Sequence, residues 1–143
     1  MDNLLDLAKQ VSVRLHFGQL DKVGEPYFNH VLRVAESEVL VDDIDRIIAY
    51  LHDVVEDTHY TIDSVKLYFG EEIATCVDNV TKRDNETVEE YFIRVNSNVR
   101  SQRVKYADSM DNFSRSKEGL DDKTIKRLEK KYTKYLSLNE FKG

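Results

Sequence analysis

The sequence predicts an all-α fold, a single-domain helical bundle of about seven to eight helices. Three observations carry that expectation. Apolar residues recur at spacings of three and four almost throughout, the period of a helix face rather than the alternation of a strand. Short apolar runs such as Val39-Leu40-Val41 are too few to build a sheet. One proline and five glycines in 143 residues leave little room for linkers, so 1–143 reads as one domain without repeats or low-complexity tracts.

Leu4, Leu5, Ala8, Val11 and Leu15 make the first apolar stripe, which ends near Gly18. A polar loop from Gln19 to Glu25 follows. Pro26 suits a first helical position, where a missing N–H costs nothing, and its helix carries Tyr27, Val31, Val34 and Ala35. Asp42 or Asp43 can cap a third helix with Ile44, Ile47, Ile48, Leu51 and Val55 on one face. Thr61 can cap a short fourth helix ending at Gly70, and Glu71-Glu72 opens a fifth with Ile73, Val77 and Val80. Thr87 and Glu90 have capping-box spacing ahead of Val88, Tyr91, Phe92 and Val95. A helix around 98–112 carries Val104 and Ala107, and the last, 121–138, shows Ile125, Leu128, Tyr132 and Leu136.

Composition narrows the setting. A 41% hydrophobic and 34% charged chain can bury a core, which excludes a disordered segment. The lone Cys76 allows no internal disulfide and fits a reducing compartment. The start, Met1-Asp2-Asn3-Leu4-Leu5-Asp6, lacks the basic region and apolar run of a signal peptide, and no stretch approaches a membrane span. The expected location is cytoplasmic, without a membrane partner. A formal charge of −6 argues against general nucleic-acid binding, which depends on neutralising phosphates. Residues 1–80 hold 6 Lys/Arg against 16 Asp/Glu, whereas 81–143 hold 15 against 11. An acidic half beside a basic half suits a small phosphorylated ligand, with carboxylates for a metal and cations for phosphates. For most of the lysines within 121–135, a solvated surface helix is the simpler account.

The densest chemistry lies in His52-Asp53-Val54-Val55-Glu56-Asp57-Thr58-His59. Adjacent His52 and Asp53 offer a nitrogen and an oxygen ligand to a hard or borderline divalent metal. Glu56 and Asp57 follow four residues later, on the same faces if the helix continues. Asp108 falls on the otherwise apolar face of Val104 and Ala107, where an unpaired carboxylate is costly. Either a metal or an arginine such as Arg103 or Arg33 would satisfy it.

The order His30 … His52-Asp53 … Asp108 resembles the H…HD…D signature of the HD-domain metal-dependent phosphohydrolases. Leu15-His16-Phe17-Gly18-Gln19 and Gly24-Glu25-Pro26-Tyr27-x-x-His30 are similar to the opening of the Rel/SpoT-type (p)ppGpp hydrolase domains. Leu51-His52-Asp53-Val54-Val55-Glu56-Asp57-Thr58 matches that group's central motif, and Val80-Thr81-Lys82 and Val104-Lys105-Tyr106-Ala107-Asp108 its later landmarks. The tail, through Arg127-Leu128-Glu129-Lys130-Lys131-Tyr132, resembles short HD proteins related to Rel/SpoT, and a stand-alone small hydrolase is the expectation.

The resemblance implies that His30, His52, Asp53 and Asp108 bind one divalent ion, manganese first. It makes Glu56 and Asp57 the catalytic acidic pair that handles water, and it places Lys22 and Asn112 at the substrate. The implied reaction is removal of the 3′-pyrophosphate of guanosine-3′,5′-bis(diphosphate). Hydrolysis of a different nucleotide or phosphate ester is the alternative, followed by a non-catalytic nucleotide-binding module. Departures bear on that choice. Asp21 stands where the group usually has an arginine that packs on guanine, Ser109-Met110-Asp111-Asn112 replaces Arg-x-His-Asn, and Val31 replaces a frequent proline. His16 is expected to be buried, His59 exposed and Cys76 a small core residue. The tyrosines and phenylalanines are expected in the core, with Tyr106 and Phe113 as exceptions near Asp108.

Overall fold

Nine α-helices and no named strand are present among the described residues of the computed structural model: α1 (Asp2–Leu15), α2 (Phe28–Ala35), α3 (Asp43–Leu51), α4 (Val54–Asp57), α5 (Ile62–Phe69), α6 (Glu71–Asn79), α7 (Val88–Val95), α8 (Val99–Arg115) and α9 (Asp122–Leu138). The structure describes residues 2–115 and 120–141; Met1, 116–119 and the last two positions of the expected 1–143 domain lie outside the described residues.

The capping residues do what their chemistry suggests. Asp42 Oδ1 accepts from the Asp45 amide at 3.0 Å, Thr61 Oγ1 from the Ser64 amide at 3.1 Å and Asp121 Oδ1 from the Thr124 amide at 2.7 Å. Thr87 and Glu90 form both halves of the capping box. Gly70, at φ +93, turns the chain between α5 and α6 in a region that side chains rarely adopt.

Two elements depart from expectation, and both departures shape the site. Pro26 does not open α2, because a backbone tie draws it out of the helix. Tyr27 N donates to Gln19 O at 2.9 Å and Asp21 N to Glu25 O at 2.8 Å, closing the 19–27 loop, with Leu20 and Pro26 bridged. The third stripe does not run unbroken to Val55 either. His52 N bonds back to Ala49 O, one residue short of the α-helical partner, and α4 restarts at Val54 as a single turn. The break falls on His52-Asp53.

The core forms around α3, which packs against α1, α2, α6 and α8. Ile47, Ile48, Leu51 and Val54 are fully buried there with Val31, Val65, Val77 and Val104. A smaller cluster of Tyr91, Phe92 and Val95 seats α7 against Tyr135 and Leu138 of α9. Cys76 is buried and free. No helix of the described residues is long and apolar enough to cross a membrane.

Candidate active site

His30 from α2, His52 and Asp53 from the α3–α4 break and Asp108 from α8 converge in the core. One ligand atom from each lies within 4.8 Å of the others, and all four residues are buried. The local fold aims each donor. His52 Nδ1 donates to the Ala49 carbonyl at 2.5 Å; a carbonyl only accepts, so the ring's Nε2 is turned inward, 3.1 Å from Asp108 Oδ1 and 3.0 Å from Asp53 Oδ2. His30 Nε2 stands 2.7 Å from the same Asp108 oxygen. The Tyr27 hydroxyl donates to Asp53 Oδ2, and Lys105 Nζ to Asp108 Oδ2 at 2.9 Å.

These residues fit a divalent cation on two grounds. The donors are two imidazole nitrogens and two carboxylate oxygens, a mixed set that suits manganese, iron, zinc or nickel. The field is also right. Burial alone lowers an imidazole's pKa, yet the ring's hydrogen bonds to Asp108 and Asp111 outweigh it and raise His30 to about 9. His52 is raised in the same way, burial being overcome by the charges of Asp53 and Asp108. A buried place that favours positive charge this strongly favours a metal ion too.

Glu56 and Asp57 line a cavity of about 300 Å³ beside Asp53 and Asp108. Each is exposed by area but sits in a concave wall where neighbouring atoms thin the solvent. That desolvation, then the charge of Asp53, raises Glu56 and pushes Asp57 up to about 6. Glu56 Oε1 is positioned by the Lys82 amide at 3.0 Å. Lys82, Lys105 and Lys131 line this cavity as well, the Lys105 ammonium bonded to Asp108 and the Lys82 ammonium to the Glu86 carbonyl. Desolvation, and the nearby charges of Lys22, Lys105 and Arg127, lower the pKa of Lys131, the mark of crowded cations that an anion would relieve.

A second cavity of about 280 Å³ adjoins it, the two sharing Tyr27, Asn112 and Tyr132 as a common wall. Leu20, Val23 and Leu128 make it partly apolar, and Asp21, Lys22 and Arg33 line it as well. Asp21 does not face a ligand freely. Its Oδ1 accepts from the amides of Val23 at 3.0 Å and Glu25 at 2.9 Å, stiffening the loop that carries it.

The structure brings together His30, His52, Asp53, Asp108, Glu56 and Asp57, with Lys22 on the wall of the second cavity and Asn112 between the two. Asn112 Nδ2 also reaches Asp108 Oδ1 at 3.4 Å. The arginines weighed as partners of Asp108 are engaged elsewhere: Arg103 with Asp45 and Arg33 with Asp111. Lys105 pairs with Asp108 instead, a one-turn spacing on α8 that the sequence shows. His16 is buried, bonded to Gln19 and packed on Tyr27, while His59 is exposed. Sequence reasoning missed the aromatic walls. Tyr27, Tyr91, Tyr132 and Tyr135 line the cleft, whereas Tyr106 packs on Phe141 and neither Tyr106 nor Phe113 lines either cavity.

An all-α bundle with a buried His/Asp cluster between its central helices defines a class, and comparison with known proteins supplies the family. The HD domain family model matches residues 7–115, and the chain belongs to that family. It is 33% identical over 122 residues to a probable GTP pyrophosphokinase of Mycobacterium leprae, covering 78% of this chain and 16% of that protein. It is 29% identical over 120 residues to a guanosine-3′,5′-bis(diphosphate) 3′-pyrophosphohydrolase of Borreliella burgdorferi, covering 75% of this chain and 18% of that one. The chain therefore spans less than a fifth of the length of these curated relatives. Among solved structures, a metazoan ortholog of SpoT that hydrolyses ppGpp shares the fold, with a TM-score of 0.82 and 24% identity over 96% of this chain and 85% of that one.

Proposed function

We propose that the chain, read as one HD domain, is a metal-dependent phosphohydrolase of phosphorylated nucleotides, with the 3′-pyrophosphate of ppGpp as first candidate. The observation that carries this reading is that Glu56 and Asp57 line the same lysine-bearing cavity as Asp53 and Asp108 of the buried four-donor cluster. His30, His52, Asp53 and Asp108 would hold the ion, manganese by the family resemblance. A divalent ion there supplies Lewis-acid polarisation of the phosphate and of water.

The rest is the work of side chains. Lys82, Lys105 and Lys131, all on the cavity wall, draw a polyanion in and offset charge on its phosphoryl oxygens. Asp57, raised to about 6, is ionised near neutrality yet basic enough to take a proton from the attacking water. Glu56, fixed by the Lys82 amide, orients that water. Lys22 and Asn112 would contact the nucleotide where the two cavities meet. A cytoplasmic setting is supported by the lone, buried Cys76.

The direct test is release of pyrophosphate and GDP from ppGpp with added Mn²⁺, abolished in Asp53→Ala and Glu56→Ala. A metal-loaded wild type that leaves ppGpp intact removes the alarmone assignment. One observation favours a different nucleotide: the second cavity offers the loop-bonded Asp21 carboxylate where a planar cation would stack on guanine. A screen of nucleoside mono-, di- and polyphosphates separates the two readings. A metal-free protein inactive across that screen would instead favour a non-catalytic nucleotide-binding module.

A further inference from the structure

Each donor of the buried cluster is held from behind, and two of the four holders are local groups. His52 leans on its own helix's carbonyl, Asp53 on the Tyr27 hydroxyl, and Asp108 on Lys105 one turn away. His30 is different. Its outer nitrogen, Nδ1, donates to Asp111 Oδ2 at 2.6 Å, across 81 positions of sequence. Asp111 is gripped in turn by Arg33, through Nε at 2.8 Å and Nη2 at 3.1 Å.

The pattern is reciprocal. His30 and Arg33 are one turn apart on α2, and Asp108 and Asp111 are one turn apart on α8. The His30 ring is clasped between the two carboxylates, one at each nitrogen. Asp111 is mostly buried, its side chain 14% exposed, so this is not a solvated surface pair.

We propose that Asp111, braced by Arg33, is the positioning residue for His30, committing Nε2 as the ring atom that faces the metal. Both carboxylates can only accept, but Asp108 is itself a proposed metal donor; with an ion on the Nε2 lone pair, Asp111 is the acceptor that holds the N–H of the neutral imidazole on Nδ1. The same bond stops the ring turning about its Cβ–Cγ axis and makes Nε2 a better donor. The substitution at this position thus has a role in the metal centre, besides its place on the wall of the second cavity. This inference rests on the reading of His30, His52, Asp53 and Asp108 as a metal site.

The test is calorimetric titration of the full chain with Mn²⁺, paired with thermal unfolding, for wild type, Asp111→Asn and Asp111→Ala. Asp111→Ala should bind Mn²⁺ about 10–100-fold more weakly, the usual cost of losing a group that orients a metal-bound histidine. Asp111→Asn, whose amide oxygen still accepts from Nδ1, should lose less. A bridge that merely joined α2 to α8 would lower the melting temperature and leave the affinity unchanged. Wild-type affinity in whichever variants fold, alongside a wild type that binds, overturns the positioning role alone. A wild type that takes up no Mn²⁺ overturns the metal site beneath it.

Discussion

Asp45 clamps α3 to α8, the two helices that between them carry His52 and Asp108. Its carboxylate is fully buried, and it accepts from Arg103 Nε at 2.7 Å and Nη2 at 3.1 Å, from Arg100 Nη1 at 2.7 Å and from the Val41 amide at 3.0 Å. Asp45→Ala removes all of these acceptors at once. Arg100 keeps Asp42 at 2.7 Å and Glu72 at 3.1 Å, so the loss falls on Arg103, which has no other acceptor among the described residues and is 14% exposed. Stripping one partner from a buried ion pair costs about 3–5 kcal/mol, and the partners left to Arg100 point to the lower end, about 3 kcal/mol. At about 3 °C per kcal/mol for a chain of this size, the melting temperature should fall by roughly 9 °C. Urea unfolding of Asp45→Ala, Arg103→Met and the double variant measures the coupling directly. The double variant should recover part of the loss, because it leaves no stranded charge. A loss below about 1 kcal/mol, the value of a solvated surface pair, would refute the buried clamp.

Thr87→Ala should cost about 1 kcal/mol in urea unfolding, since it removes the hydroxyl half of the α7 capping box. Asp42 gives a pH signature: its hydrogen bond to Arg100, acting against partial desolvation, depresses its pKa in the folded state. That stabilisation is complete above the ordinary carboxylate value near pH 4 and is lost as pH falls through the depressed value, so Asp42→Asn should flatten the acid limb of a stability-against-pH curve. Glu56→Gln should bind Mn²⁺ within about twofold of wild type yet turn over about 10²–10⁴-fold more slowly, because it keeps the hydrogen bond from Lys82 and loses the ionised oxygen. Equal losses in binding and turnover would place Glu56 among the metal donors instead.

Much of this was legible in the sequence because it is written in local rules. Helix faces, caps at Asp42, Thr61 and Thr87, and the turn at Gly70 depend on residues within four positions of one another. The His30, His52, Asp53 and Asp108 set was legible only by its resemblance, since nothing local tells which distant helices meet. The break at His52-Asp53 was hidden: an apolar stripe running to Val55 gives no sign that the backbone tightens at Ala49–His52. The displaced start of α2 was hidden for a related reason, because Pro26 answers to a backbone tie with Leu20, not to its own helical preference. Asp111 reads in isolation as a lost imidazole. Only the facing turn of α2 shows that its carboxylate serves His30.

The chemistry and its selectivity rest on different parts of this fold. The four donors stand on α2, on the α3–α4 break and on α8, which pack on one another through the main core. A shift in any of these helices disturbs both the core and the donor geometry, so packing itself holds the centre in place. The second cavity is walled on one side by the 19–27 loop and α9, and on the other by His30 and Arg33 of α2 and Asp111, Asn112 and Arg115 of α8. That loop closes on its own backbone, with Asp21 bonded to two of its amides, and α9 seats mainly on α8. Leu20, Lys22 and Val23 of that loop are exposed and can change without uncovering core or moving a donor. The core helices therefore argue for the class of reaction, while the loop and α9 argue for the molecule it acts on. Asp111 is where the two meet, since one carboxylate lines the second cavity and holds His30 of the proposed metal centre.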